Sequence, residues 1–374
     1  MKAKTLFRKL YSKELPLKLE SGKSLDSVSV AYQTFGKLNK NKTNVILINH
    51  ALTGNAHVAG IITEEELQNS KTIPQLYKYN KMYFGKEGWW SPLIGKRKAI
   101  DTQKHFVICP NVLGSCYGTT GPASKNHSTK KLYRMNFPEV TVRDMVRVQK
   151  ALLNSFGITK IKMAIGGSLG GMQVLEWASM YADFVESIMP IATSAAHSPW
   201  AIGLNEASRN AIINDPKWNK GNYKKQPETG LKLARKIAML TYRSYDSFNK
   251  KFGRKINLSQ KQKNYFEVES YLDYQGNKLT KRFDANTYLY LSKAMDLHDI
   301  GKDRGGVKKV LKSIKCKTNC VGINSDILYP AKEQKEMASY IPKATYSEID
   351  SPHGHDAFLI EFEQLEKIIR KFLH

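Results

Sequence analysis

Apolar and polar positions along the chain fall into three stretches. Up to about residue 193, short apolar runs alternate with segments of helical period, which is the pattern of strands interleaved with helices. Val28 to Phe35, Thr43 to Ile48, Phe106 to Pro110, Ile161 to Ile165 and Val185 to Ala192 read as strands. Met145 to Phe156 reads as an amphipathic helix behind a Thr141-x-x-Asp144 cap and ended by Gly157. At the start, residues 1 to 43 predict an antiparallel hairpin or meander made of Leu15 to Leu19, a Ser-Gly-Lys turn at 21 to 23, and Val28 to Phe35. Residues 61 to 88 predict an irregular connection. From about Ser194 to Leu297 the alternation stops and helical periodicity takes over, clearest in Leu231 to Tyr245 and Ala285 to Met295. It resumes with a strand at Cys320 to Ile323, a helix at Ala331 to Tyr340, a strand at Ala344 to Ile349 and a closing helix at Glu361 to His374. Strands alternating with helices predict an α/β core with a mostly parallel sheet. The expected division is a core of residues 1–193 and 300–374 interrupted by a helical insertion, 194–299.

One junction in this pattern carries chemistry. The strand ending near Ile165 meets a helix through Gly166-Gly167-Ser168-Leu169-Gly170-Gly171, which fits G-x-S-x-G, the nucleophile elbow. Such a turn lifts a serine hydroxyl above the sheet, and glycines on either side let strand and helix pass closely. The first amides of the helix then point at an anion beside the serine, so the Leu169 N–H is one expected oxyanion donor. The second is expected in the loop after the early strand, at the Leu52 N–H within Asn49-His50-Ala51-Leu52-Thr53-Gly54-Asn55-Ala56-His57. A further loop, Asn111 to Pro122, again follows a strand, the end at which open α/β sheets bind ligands.

A serine hydroxyl is a weak nucleophile at its free pKa and needs a base held by an orienter. The order Ser, acid, His, each after a later strand, is met by Ser168, Asp326 and His355. In that reading His355 takes the serine proton and Asp326 fixes its tautomer. His353 is a rival two positions away, and Asp326 also suits an Asx turn ahead of Leu328-Tyr329-Pro330.

Composition changes this picture little. With 374 residues the chain can bury a large core, and no apolar run approaches the about 20 residues that cross a bilayer. The N-terminal residues scatter charge through Met1 to Leu10, with no apolar segment of a secretory signal, so cytoplasm is the expected compartment. Four cysteines, Cys109, Cys116, Cys316 and Cys320, are too few and too irregularly spaced for a disulfide framework or a zinc site. The net charge of +26 raises the question of a polyanionic partner. Its lysines are nevertheless spread along the chain, and clusters such as Lys37 to Lys42 or Lys261-Gln262-Lys263 form no recognisable nucleic-acid motif. Small-molecule chemistry, without nucleic acid or membrane, is the expectation.

Several motifs in order carry a family resemblance over nearly the whole chain. Gly167-Ser168-Leu169-Gly170-Gly171-Met172-Gln173, Leu175-Glu176-Trp177-Ala178, Asn111 to Pro122, Thr141-Val142-Arg143-Asp144-Met145-Val146, Arg282-Phe283-Asp284-Ala285-Asn286 and Gly354-His355-Asp356-Ala357-Phe358-Leu359 together resemble homoserine O-acetyltransferase. The resemblance implies an α/β-hydrolase fold with an eight-stranded, mostly parallel sheet and a helical lid, and an acyltransferase acting early in methionine synthesis. It implies Ser168 as the acylated nucleophile with Asp326 and His355. It also implies that Arg235 and Asp356 hold the amino-acid acceptor through its carboxylate and ammonium; Arg243 is a rival to Arg235 in the same segment. The implied donor is acetyl-CoA, used by double displacement with no bound cofactor and no metal, and the implied assembly is a homodimer. Three positions depart from the family pattern: Leu169 stands where methionine is usual, Gly114-Ser115-Cys116 where Gly-Gly-Cys is usual, and Lys96-Arg97 where Pro-Gly is usual. The alternatives are a succinyl donor, serine as acceptor, and an esterase or thioesterase that uses water. A nucleic-acid-binding module and a relative with a vestigial triad rank below these.

Overall fold

The computed structural model describes residues 1–259 and 264–373, so the lysine cluster at 261–263 lies outside the described residues. Its organising element is an eight-stranded sheet. We number the strands β1 (Leu6–Leu10), β2 (Val28–Phe35), β3 (Val45–Asn49), β4 (Phe106–Pro110), β5 (Ile161–Gly167), β6 (Ser187–Ile191), β7 (Lys317–Ile323) and β8 (Ala344–Ile349). They lie in the order β1-β2-β4-β3-β5-β6-β7-β8. Only β2 runs against its neighbours; from β4 to β8 every pairing is parallel. A chain that returns to a parallel neighbour must cross over through helices on the faces, which buries both sides of the sheet. This is why β3, β4 and β6 consist of fully buried residues and read as continuous apolar runs rather than alternating ones. Alternate residues feed two cores: Val45 and Leu47 pack into one, Ile46 and Ile48 into the other.

The first 43 residues differ from the expected hairpin. Leu17–Lys18 pairs with Ser24–Leu25 in a small separate ribbon, whereas Val28–Phe35 pairs with Leu6–Leu10. β1 escapes a reading by pattern because its middle residues Phe7, Arg8 and Lys9 are exposed on an edge strand. The stretch from 61 to 88 is not irregular throughout; it holds helices Glu64–Asn69 and Pro74–Met82, the first capped by Thr63 and the second begun by its proline.

Helix α1 (Val142–Asn154) starts directly after Thr141, whose hydroxyl and the Asp144 carboxylate close a capping box. Helix α2 (Leu169–Met180) follows the β5 turn and is buried almost throughout. Between β6 and β7 the chain leaves the sheet for helices α3 (Pro199–Ile213), α4 (Glu228–Tyr242), α5 (Tyr245–Phe252), α6 (Glu267–Thr280) and α7 (Ala285–Asp296). No helix among the described residues is long and apolar enough to cross a membrane.

Candidate active site

Ser168 occupies the turn between β5 and α2 with φ +58° and ψ −125°, a backbone conformation that side-chain-bearing residues rarely hold. The surroundings over-determine it. The Ser168 N–H donates to Ile191 O at 3.0 Å, and its carbonyl accepts from the Thr193 hydroxyl at 2.8 Å. Space forbids side chains beside it: a Cβ on Gly170 would come within 2.1 Å of Asn49 O, and one on Gly167 within 2.6 Å of the Phe358 ring. The glycines therefore seat the elbow between the β3 loop on one side and the His355 turn on the other.

The loop after β3 is tied down by buried polar groups. His50 Nδ1 donates to Ala51 O at 2.8 Å and Nε2 accepts from the Val112 N–H at 3.1 Å, which joins this loop to the one after β4. Burial lowers the His50 pKa to about 4, so the ring is neutral and can serve both contacts. Gln173 Nε2 donates to His50 O at 3.3 Å and to Leu169 O at 3.0 Å, while its Oε1 accepts from Gln149 Nε2 at 2.6 Å. One buried amide thus spans the two segments whose N–H groups were expected to face an oxyanion. Among the described residues, no backbone or side-chain acceptor takes the Leu52 or the Leu169 amide. Gln173 was not foreseen; its place four residues after Leu169, one helical turn on, was the available signal.

At the other end of the site β7 and β8 run in parallel register to Ile323 and Ile349, so their following loops emerge together. The Ser325 hydroxyl donates to Ser351 O at 2.5 Å and accepts from the Gly354 N–H at 3.0 Å. This stitching brings His355 Nδ1 to 2.7 Å from Asp326 Oδ2. Oδ1 of the same carboxylate accepts from the Leu328 and Tyr329 amides at 2.8 and 3.0 Å. Asp326 therefore closes an Asx turn with one oxygen and holds His355 with the other. His355 Nδ1 carries the proton and Nε2 is left with its lone pair. Burial lowers the His355 pKa, but the charge and hydrogen bond of Asp326, joined by the charge of Asp356, outweigh it, and the net shift is upward. Glu333 adds no full second charge near neutrality: burial first, then the charge of Asp326, pushes its carboxyl up to about 7. Among the described residues His353, the rival histidine, makes no hydrogen bond or ion pair with Asp326, and its Nδ1 is buried without a hydrogen-bond partner.

The helical insertion meets His355 through aromatic faces. The Tyr242 ring lies 5.7 Å from that of His355, and Arg235, seven residues earlier on the same face of α4, stacks its guanidinium 5.2 Å from the Tyr242 centroid. Arg235 pairs with no carboxylate among the described residues, whereas Arg243 Nε sits 3.5 Å from Asp356 Oδ2. The two arginines have separate positions: one free beside Tyr242, the other against Asp356. Tyr242 was not foreseen, although its spacing from Arg235 is that of one helix face. Gly354, at φ +66°, has no room for a Cβ against the Arg243 backbone at 2.7 Å, so the end of α4 rests directly on the His355 turn. Arg282 Nη1 donates to Thr53 O at 3.0 Å and to the Tyr117 hydroxyl, so the insertion also grips the loop after β3. Ser115, one of the departures from the family pattern, is buried and turns its hydroxyl to Asn111 Oδ1 at 3.3 Å.

Strained serine, bare imidazole nitrogen and two free amides form an arrangement suited to acyl transfer. Comparisons with known proteins run the same way. A model of the alpha/beta hydrolase fold family matches residues 44–362. Homoserine O-acetyltransferase of Moorella thermoacetica is 49% identical over 368 residues, covering 96% of this chain and 93% of the relative. That of Chloroherpeton thalassium is 50% identical, covering 96% and 86%. Among solved structures, homoserine O-acetyltransferase from Bacillus anthracis superposes with a TM-score of 0.86 at 27% identity over 99% of this chain and 98% of that one. Esterase E22 superposes with the same TM-score of 0.86 at 29% identity, over 99% and 100%.

Proposed function

We propose that this chain, which belongs to the homoserine O-acetyltransferase family within the α/β-hydrolase fold, moves an acetyl group from acetyl-CoA to the hydroxyl of L-homoserine, giving O-acetyl-L-homoserine for methionine biosynthesis. The observation that carries the reading is Arg235: a lid guanidinium with no carboxylate of its own, stacked on the tyrosine that touches His355. An esterase that uses water has no need of such a cation, whereas an amino-acid acceptor brings the carboxylate it lacks.

In this reading His355 Nε2 removes the Ser168 proton as the hydroxyl attacks the thioester carbonyl, and the Leu52 and Leu169 amides receive the negative oxygen. The tetrahedral centre collapses with loss of coenzyme A as a thiol, which takes the proton from His355, and an acetyl-serine remains. The acceptor then binds with its carboxylate at Arg235 and its ammonium at Asp356. His355 deprotonates the acceptor hydroxyl, which attacks the acetyl-serine and regenerates Ser168. Asp326 keeps the imidazole in one tautomer and stabilises it when charged.

Residues 194–299 act as the lid, excluding water from the acetyl-enzyme. A homodimer assembled through this lid belongs to the same reading, supported by Leu233, Leu240 and Tyr245, which it leaves 48%, 52% and 77% exposed. A cytoplasmic location is supported by four buried, unpaired cysteine thiols. The test is thiol release from acetyl-CoA and, in parallel, succinyl-CoA, with homoserine, serine or no amino acid. Release from acetyl-CoA that requires homoserine and disappears in Ser168→Ala is expected. Release indifferent to any amino acid would replace the transferase by a hydrolase.

A further inference from the structure

The turn that carries Asp326 is held from the lid by a second histidine–aspartate pair. Tyr329, fully buried, donates its backbone N–H to Asp326 Oδ1 at 3.0 Å and sets its ring 5.3 Å from that of His355. Its hydroxyl lies 2.9 Å from His197 Nε2. His197 Nδ1 is 3.2 Å from Asp296 Oδ1 and the side chains of this pair are 1% and 4% exposed, although the contact is not aligned as a hydrogen bond. Asp296 Oδ2 in turn lies 2.6 Å from Arg209 Nη1, and Oδ1 accepts from Asn205 Nδ2 at 2.8 Å. Asp296 ends α7, and Asn205 and Arg209 belong to α3. Trp200, in the first turn of α3, adds a hydrogen bond from Nε1 to Ile327 O at 3.0 Å. The order carboxylate, imidazole, hydroxyl expected of Asp326, His355 and Ser168 has a counterpart in Asp296, His197 and Tyr329. This hydroxyl is a phenol enclosed by protein that ends on His197, while the ring that carries it faces His355 instead of a substrate. Burial, with the charge of neighbouring Asp326, holds the Tyr329 pKa well above its ordinary value. The phenol keeps its proton and meets Nε2 of His197, whose Nδ1 faces Asp296.

We propose that Asp296 and His197 are positioning residues for acyl transfer, which fix the Asp326 turn and the His355 ring to the lid through the Tyr329 hydroxyl. The physical need is plain. Tyr329 supplies one of the two amides on Asp326 Oδ1 and one wall of the His355 ring, yet packing alone leaves a planar ring free to slide in its own plane. A hydrogen bond at its far end removes that freedom, and Asp296, itself held by Arg209 and Asn205, lies against the other nitrogen of His197. Groups behind a catalytic residue act in this way by narrowing the set of orientations in which it can react. The lid is then part of the base's support and more than a cover.

The inference rests on the acyl-transfer reading for its natural substrates, so cleavage of an activated acetyl ester is measured beside homoserine-dependent thiol release. Tyr329→Phe removes only the hydroxyl. It is expected to lower kcat about tenfold in both assays while KM for acetyl-CoA and homoserine stays within about a factor of two. His197→Ala is expected to match it, the double variant to be no worse than either single change, and His197→Gln, which keeps a polar group near the Nε2 position, to recover most of the loss. The low-field proton resonance of the His355–Asp326 hydrogen bond should shift in Tyr329→Phe, a change that lost stability alone does not bring. Thermal unfolding is followed throughout; if His197→Ala does not fold, Tyr329→Phe decides. A kcat within about twofold of the parent in Tyr329→Phe, a loss confined to KM, or effects of His197 and Tyr329 that multiply in the double variant would overturn the inference. Ester cleavage that depends on Tyr329 in a protein that ignores homoserine would keep the inference and remove the transferase.

Discussion

The sheet and the lid build their halves of the site in different ways. On the sheet side each group stands beyond the carboxyl end of a strand, and its geometry is set by backbone: the positive φ of Ser168, the clearances at Gly167 and Gly170, the shared register of β7 and β8. On the lid side, apart from the close approach of the Arg243 backbone to Gly354, the contacts are made by side-chain tips, with Arg235 on Tyr242, Arg243 on Asp356 and Arg282 on Thr53 O. Large apolar side chains of the lid also remain exposed, which is rare along the sheet. Backbone geometry tolerates almost no displacement, and therefore suits bond making at a fixed atom. Side-chain tips adjust, and therefore suit choosing an acceptor. Under the proposed function, rate belongs to the sheet and choice of acceptor to the lid, with Tyr329 and His197 as the seam.

Substitutions on the two sides should separate along that line. The largest loss is expected for Ser168→Ala, about 100,000-fold in kcat with no acetyl-enzyme detectable by mass spectrometry. Appreciable residual acyl-enzyme would locate the nucleophile elsewhere. Asp326→Asn keeps the shape of the turn but removes the charge behind His355, with an expected loss of about 10,000-fold.

The same variant tests the electrostatics. Because the base must be neutral, activity falls as the pH drops through the His355 pKa, which Asp326 raises above the ordinary histidine value. Without that charge, burial dominates and the acidic limb of the residual kcat/KM profile should move to lower pH; a limb that stays in place would show that another group titrates.

On the lid, Arg235→Ala should cost about 100-fold in kcat/KM for homoserine while slow hydrolysis of the acetyl-enzyme continues. Equal loss of both activities would return Arg235 to the sheet's side of the comparison. The smallest effect belongs to the exposed face. Leu240→Asp should leave kcat within about a factor of two, yet shift the protein from dimer to monomer by sedimentation if the lid surface joins two copies. An unchanged mass would place the interface elsewhere or dispense with it.

Much of this was legible along the chain, and for a definable reason. Parallel strands buried on both faces leave continuous apolar runs, so β3, β4 and β6 were visible, as was the capping box at Thr141 and Asp144. The elbow was visible because G-x-S-x-G is a local requirement: each glycine answers a clash within one turn of the chain. Strand β1 was missed because an exposed edge imposes no apolar pattern, and the pairing of residues 28–35 followed from that omission. Asp326 and His355 could be ordered from sequence, but the choice of His355 over His353 was a matter of which ring meets a carboxylate carried on another strand. Such a contact is set by the register of β7 with β8 and leaves no local trace.

The long-range partners were out of reach for the same reason. Helical spacing relates Gln173 to Leu169 and Tyr242 to Arg235, but Gln173 on His50 O, Tyr242 facing His355 and His197 on Tyr329 join residues more than one hundred positions apart. The sequence alone determined the strands, the elbow and the order of its partners, because hydrophobic period and glycine clearance act within a few residues. Only the tertiary structure decided which side chains touch, because that depends on how the crossovers bring distant loops to one end of the sheet.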